Sequence, residues 1–208
     1  MPKGQVFAND VLALAYNSTV LSWNANTNLY LSLHSADPTP GGNQTSSEVV
    51  YTGYSRATQA RTSGGFTVSE VTGTGASCTI SGYVLTVGGA VTGTWQVGQV
   101  VTGASVPANT IIESLGTGTG GGGTYNLSTI STIGSGEAMT GYCAQIVLAS
   151  TVSFPACTGG TATAAYFAVG TASSGTGEIL HTGPLSPTIN ISTGVTPQLT
   201  TGTTITEA

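Results

Sequence analysis

The 208-residue chain predicts an all-β fold: an antiparallel β-sandwich or jelly-roll body with a short N-terminal helix or arm and a small inserted β-domain. Three observations carry this. Residues 29–34 (Leu-Tyr-Leu-Ser-Leu-His) alternate apolar and polar side chains with the period of two that a half-buried strand needs. Short runs rich in Val, Ile, Tyr and Thr recur along the chain, each bounded by Gly, Pro or Asn turns, the grammar of a sandwich or jelly roll. Lys and Arg number only 3 and Asp and Glu 8, yet 39% of residues are hydrophobic, enough apolar surface to separate a folded chain from a disordered polar one.

The first element is a short helix over about residues 5–16. Val6, Phe7, Val11, Leu12, Leu14 and Ala15 fall near a 3.6 period, and Asn9 or Asp10 is positioned to cap it. A polar turn at 24–28 leads into the 29–34 strand, with the leucines toward a core and Tyr30 and His34 on the other face. Pro38, Pro40, Gly41 and Gly42 cannot continue that strand, because the prolines remove ladder donors and the glycines free the backbone. A second strand is expected over 48–54, alternation resumes over 54–61, and Phe66 and Val68 begin another strand after a Thr-Ser-Gly-Gly turn.

From residue 72 the composition shifts to Gly and Thr. Short strands are expected at 78–80, 83–87, 99–102, 110–115 and 124–129, joined by Gly turns. Segments this short with their own turns read as a module rather than a loop, so residues 72–141 are taken as an inserted domain and 1–71 with 142–208 as the body. In the body, strands are expected at 145–149, 152–155, 164–170, 178–181, 188–192 and 203–206.

A net charge of −5 without an acidic run or a basic patch bears on partners. Lys3, Arg56 and Arg61 neutralise too few phosphates for nucleic-acid binding by counterion release. The first 23 residues are too polar for a signal peptide and too short for a bilayer span, so no membrane partner is expected and the chain is expected to be made in a cytoplasm. Cys78, Cys143 and Cys157 read as buried thiols, with a Cys78–Cys143 disulfide the alternative.

Catalytic chemistry finds no G-x-S-x-G, Walker or H-E-x-x-H motif. The Gly run at 120–123 lacks the Lys and helix of a phosphate loop and reads as a flexible hairpin. His34 reads as exposed at a strand end, with Asp37 making a turn into Pro38 rather than a Ser-His-Asp set. Asp37 and Glu48 read as solvated loop charges rather than calcium ligands. No catalytic, cofactor or metal residue is therefore assigned. Arg56 and Arg61 read either as solvated strand ends or as groups bonding across a subunit contact, where Arg is enriched.

Several pieces in fixed order resemble a family of structural proteins from tailed bacteriophages: LYLSLHSADP at 29–38, Glu48, YTGYSR at 51–56, FPACTGG at 154–160, GTGEILHTGPL at 175–185 and the GVTP-containing ending at 194–204. Residues 72–141 depart from that pattern and look like a Gly/Thr-rich β-module inserted in several phage virion proteins. The resemblance implies a non-enzymatic virion protein, a capsid decoration or cement subunit on the outside of the shell that binds the major capsid protein and copies of itself. The alternative it leaves open is a tail-fibre or tail-tip component binding host-surface carbohydrate. On the decoration reading Asp37, Glu48, Arg56 and Arg61 are the expected subunit or capsid contacts and the opening helix reaches a neighbouring subunit; on the alternative, Tyr83, Trp95 and Tyr125 in the module are surface aromatics that stack on sugar rings.

Overall fold

The structure, a computed structural model, describes residues 4–38, 41–201 and 203–207. It is all-β with antiparallel sheets and one short helix, the class the composition predicts. In chain order the elements are α1 (Gln5–Asn17), β1 (Asn28–His34), β2 (Ala57–Ala60), β3 (Phe66–Val87), β4 (Val91–Gly93), β5 (Val100–Thr102) and β6 (Thr110–Leu115). They continue with β7 (Gly123–Leu148), β8 (Val152–Ser153), β9 (Thr161–Gly170), β10 (Ile179–Ser192), β11 (Gln198–Leu199) and β12 (Thr204–Glu207). The described chain folds as two compact units. One runs to Thr67 and resumes over Val147–Ile205; the other is Val68–Ile146 with the residues after Ile205.

In the first unit, four strands form an antiparallel sheet in the order β10-β9-β1-β2, and β11 pairs with β8 separately. β1 is central: Leu31 faces Ala57 of β2 on one side and Val169 of β9 on the other. Leu31 and Leu33 are fully buried, and Leu29, Val49, Phe154, Phe167 and Ile191 of the same unit are buried too. The expectation of a half-buried strand is corrected here, because Ser32 and His34 on the opposite face are buried as well. The His34 ring on that face meets Ser46 O, in a segment whose backbone runs beside the end of β1 through Ser35 N–H to Ser47 O and Val49 N–H to Leu33 O. Residues 48–54 do not form the expected strand. They make isolated bridges, His34 to Glu48 and Thr52 to Gly159, and turn at Gly53, whose φ of 97° suits glycine.

The expected strands at 178–181 and 188–192 are one element, β10, whose register with β9 shifts between Pro184 and Ile189. Pro187 falls inside that irregular stretch, where the missing N–H removes no ladder bond.

α1 starts after Gly4, so Asn9 and Asp10 lie inside the helix and cap nothing. Its end is marked by Ser18 in the left-handed conformation, with Thr19 N–H returning to Ala13 O. None of its residues is buried.

In the second unit the sheet order is β4-β3-β7-β5-β6. Cys78, Ile80, Leu85, Val87, Trp95, Val101, Ile112, Tyr125, Leu127, Ile133 and Met139 pack as its core. Two strands are far longer than expected: β3 absorbs the segments read at 78–80 and 83–87, and β7 absorbs the one at 124–129 and continues into the body. Glycine inside them does not end pairing; it makes room. A Cβ at Gly73 would stand 2.9 Å from Trp95 Cδ1, and one at Gly141 the same distance from Trp95 Cζ3. The glycines thus let two strands close on the indole, a cause that composition alone conceals.

Cys78, Cys143 and Cys157 are buried free thiols, and the Cys78–Cys143 disulfide is absent.

Candidate functional site

Arg56 is reached from the strand end ahead of β2, and its guanidinium turns inward. It forks onto Glu48, Nε to Oε1 at 2.7 Å and one terminal nitrogen to Oε2 at 2.8 Å. Two further donors hold the carbonyls of Ala172 at 2.9 Å and Gly175 at 2.8 Å. The side chains are 3% and 15% exposed, so this is a buried, bidentate pair with four of the five guanidinium N–H donors bonded. Tyr54 donates its hydroxyl to Glu48 Oε1 and accepts from Leu33 N–H. Burial raises the Tyr54 phenol far above its ordinary range, and the Glu48 carboxylate beside it adds to that. Gln44 completes the knot: its amide donates to Tyr30 O and accepts from Ala172 N–H. The loop 171–175 is thereby tied to the 44–48 segment and to β1. The expectation that Glu48 and Arg56 are outward contacts is corrected: they bond each other inside the unit.

His34 is fully buried, not exposed at a strand end. Its Nδ1 lies 2.8 Å from Ser46 O, a pure acceptor, so the proton sits on Nδ1. Nε2 then accepts from the Ser32 hydroxyl at 2.8 Å. Burial holds the imidazole below its ordinary value, so it is neutral at pH 7. Asp37 is on the surface and accepts from the Thr182 hydroxyl at 3.3 Å. Arg61 is exposed, donates to Asn24 O and lays its guanidinium 4.8 Å from the centre of the Trp23 ring. Of the four expected contact residues, the structure brings together only Glu48 and Arg56.

The module aromatics divide sharply. Trp95 is 1% exposed and Tyr125 is fully buried, with ring centres 6.1 Å apart. Trp95 donates to Thr74 O and the Tyr125 hydroxyl to Gly121 O. They are core residues with satisfied polar tips, which corrects the reading of them as a sugar-stacking surface. Tyr83, 54% exposed, is the one of the three on the surface.

Sequence reasoning passed over the seat of α1. Gly4 N–H donates to Leu180 O, fixing the start of the helix on β10. One turn on, Phe7 packs edge-on to His181 at 5.1 Å and against Trp23 at 5.9 Å. Trp23 donates its indole N–H to Asp10 Oδ2 at 3.2 Å. Glu178, next to β10, has a buried carboxylate oxygen, Oε1, with no hydrogen-bond partner. Burial first and the Asp10 charge second lift the Glu178 carboxyl to about 7, against a smaller lowering from the Trp23 indole N–H. Val6, Val11, Leu12, Leu14 and Tyr16 are nonetheless 41–83% exposed. At about 100° per residue, Leu12 and Tyr16 stand about 140° and 180° round the helix from Phe7. A helix apolar on its outer side as well as its seated side is patterned for burial on both. The signal was present in the sequence as hydrophobes outside a single stripe.

A polar cleft of about 390 Å³ opens beside the pinned 171–175 loop, lined by Asn26, Asn28, Tyr30, Thr171 and Ser173 among others. No group of three or more His, Cys, Asp or Glu suited to a metal occurs among the described residues, and no described helix is long and apolar enough to cross a membrane. No protein-family model matches the chain, and a search of curated proteins finds no match to it.

Proposed function

We propose that this protein is a non-enzymatic structural subunit of a tailed-bacteriophage virion, a decoration protein that binds the outside of the capsid shell and stabilises it through contacts with the major capsid protein and with copies of itself. The observation that carries this reading is α1. It holds one charged residue, Asp10, and leaves five large apolar side chains uncovered in the single chain. Apolar side chains clustered on an exposed element mark a protein contact. A surface built of hydroxyls and amides, with few charges to repel a neighbour, suits a subunit that mates through apolar patches ringed by hydrogen bonds. The motifs at 29–56 and 154–185 that resemble phage structural proteins supply the setting, a virion.

The test is copy number. Quantifying the protein per particle by gel densitometry or cryo-microscopy should give hundreds of copies, and adding the purified protein to shells lacking it should raise their resistance to heat. A few dozen copies or fewer would sink the shell assignment and favour a tail component.

A further inference from the structure

The seat of α1 brings two carboxylates to one indole. Asp10 accepts the Trp23 N–H, and Glu178 approaches the same indole from the β10 side with Oε1 buried and unpartnered. The backbone at Glu178 is fixed, since its N–H donates to the Thr171 hydroxyl and its carbonyl accepts from Thr171 N–H. The carboxylate cannot escape the helix by moving the main chain. Among the described residues, the other charged or titratable groups about the seat are Arg61, stacked on the Trp23 ring, and His181, edge-on to Phe7. Arg61 directs its N–H groups to Asn24 rather than to either carboxylate. Two carboxylates stand at one donor that is bonded to Asp10, and the element they flank is the one with the uncovered apolar side chains.

We propose that Asp10, Trp23 and Glu178 form an electrostatic catch: α1 is seated on the body when Glu178 is protonated and is released, to pack against a neighbouring protein subunit, when both carboxylates are charged. The seated state keeps Asp10 as acceptor of the indole N–H and a neutral Glu178 in its buried place. Deprotonation puts a charge whose Oε1 is shut off from water beside Asp10, and swinging the helix away lets water reach that oxygen. The hinge is residues 18–20, where Ser18 is left-handed and Val20 is 76% exposed, while Leu21 and Trp23 stay buried in the body. The sign follows from linkage. Glu178 titrates at about 7 when α1 is seated and near its ordinary 4.5 when α1 is away. The seated state is therefore most stable below about 4.5 and loses ground as pH rises to about 7, beyond which the loss is complete.

This rests on α1 being the contact element of the assembled protein, but its test uses the isolated full chain, so its failure leaves the copy-number result untouched. The chain holds two tryptophans, Trp23 in the seat and Trp95 in the core of the second unit. In ¹⁵N-labelled protein, the Trp23 indole resonance should move with a midpoint near pH 7 while that of Trp95 stays still. The exchange protection of amides 5–17, corrected for intrinsic rate, should fall by about tenfold or more between pH 5 and pH 8. Glu178→Gln, isosteric and uncharged, should hold both signals at their low-pH values throughout. Asp10→Asn should lower the Trp23 midpoint by removing the like charge. Protection of 5–17 that is flat with pH in the native chain overturns the proposal even if the Trp23 resonance titrates. A wild-type transition surviving in Glu178→Gln overturns it equally.

Discussion

Arg56 makes four hydrogen bonds, two to Glu48 and two to loop carbonyls, and each partner belongs to its own folding unit. The sequence left Arg56 as a solvated strand end or a subunit contact; burial decided otherwise. Removing one member of a buried pair strands the other charge, which costs about 3–5 kcal/mol. Arg56→Met should therefore destabilise the protein by about that amount in denaturant unfolding, and Glu48→Met with Arg56→Met should lose less than the two single changes summed. Additive losses would show that the two side chains act independently. The same scale separates the module aromatics. Trp95→Ala opens a core cavity and should cost about 3–5 kcal/mol, whereas Tyr83→Ala, at an exposed site, should change stability by no more than about 0.5 kcal/mol. The difference between Tyr83 and Trp95 was not legible in the sequence, since both are aromatic residues among Gly, Thr and Val. It depends on which strands close over the ring, and glycines 73 and 141 permit that closure around Trp95.

At the scale of elements, α1 is the least committed part of the first unit. Phe7 and Asp10 hold it down, and Leu12 and Tyr16 face away. Leu12→Ser with Tyr16→Ser should leave thermal unfolding of the isolated chain unchanged within about 0.5 kcal/mol, because neither side chain has a covered site to lose. The same variant should fail to bind shells lacking the protein in a sedimentation assay. Normal binding would remove α1 from the contact. The helix and its span from about residue 5 were legible from its 3.6 period, and its cap was not: Asn9 and Asp10 are good capping residues, yet they lie inside a helix that runs from Gln5. Tertiary contact explains the difference, since Asp10 answers Trp23, thirteen residues away, rather than its own backbone.

At the scale of the molecule, the second unit is an insertion in the chain of the first. Ala149 N–H donates to Gly65 O at 3.1 Å, so the chain leaves and re-enters the first unit at neighbouring points. Such a site can be closed by a turn. Replacing residues 68–146 with a short Asn-Gly turn should leave a soluble body with a single cooperative unfolding transition by circular dichroism. Insoluble or non-cooperative product would show that the body needs the inserted unit to fold. The expected boundaries at 72 and 141 lie a few residues inside this insertion, because the composition changes where the Gly/Thr repeat begins, whereas the structural unit begins where β3 and β7 leave the body.

By itself the sequence determined the β class, the opening helix and the central strand at 29–34. Those follow from local periodicity and from the cost of placing Pro and Gly in a ladder, which neighbours in sequence settle. Only the tertiary structure decided that His34 and Arg56 are interior, that Trp95 and Tyr125 are core, and that Glu178 shares an indole with Asp10. Burial and charge pairing depend on which segments cover a side chain, and those segments lie up to 168 residues apart, the separation of Asp10 and Glu178 in the chain.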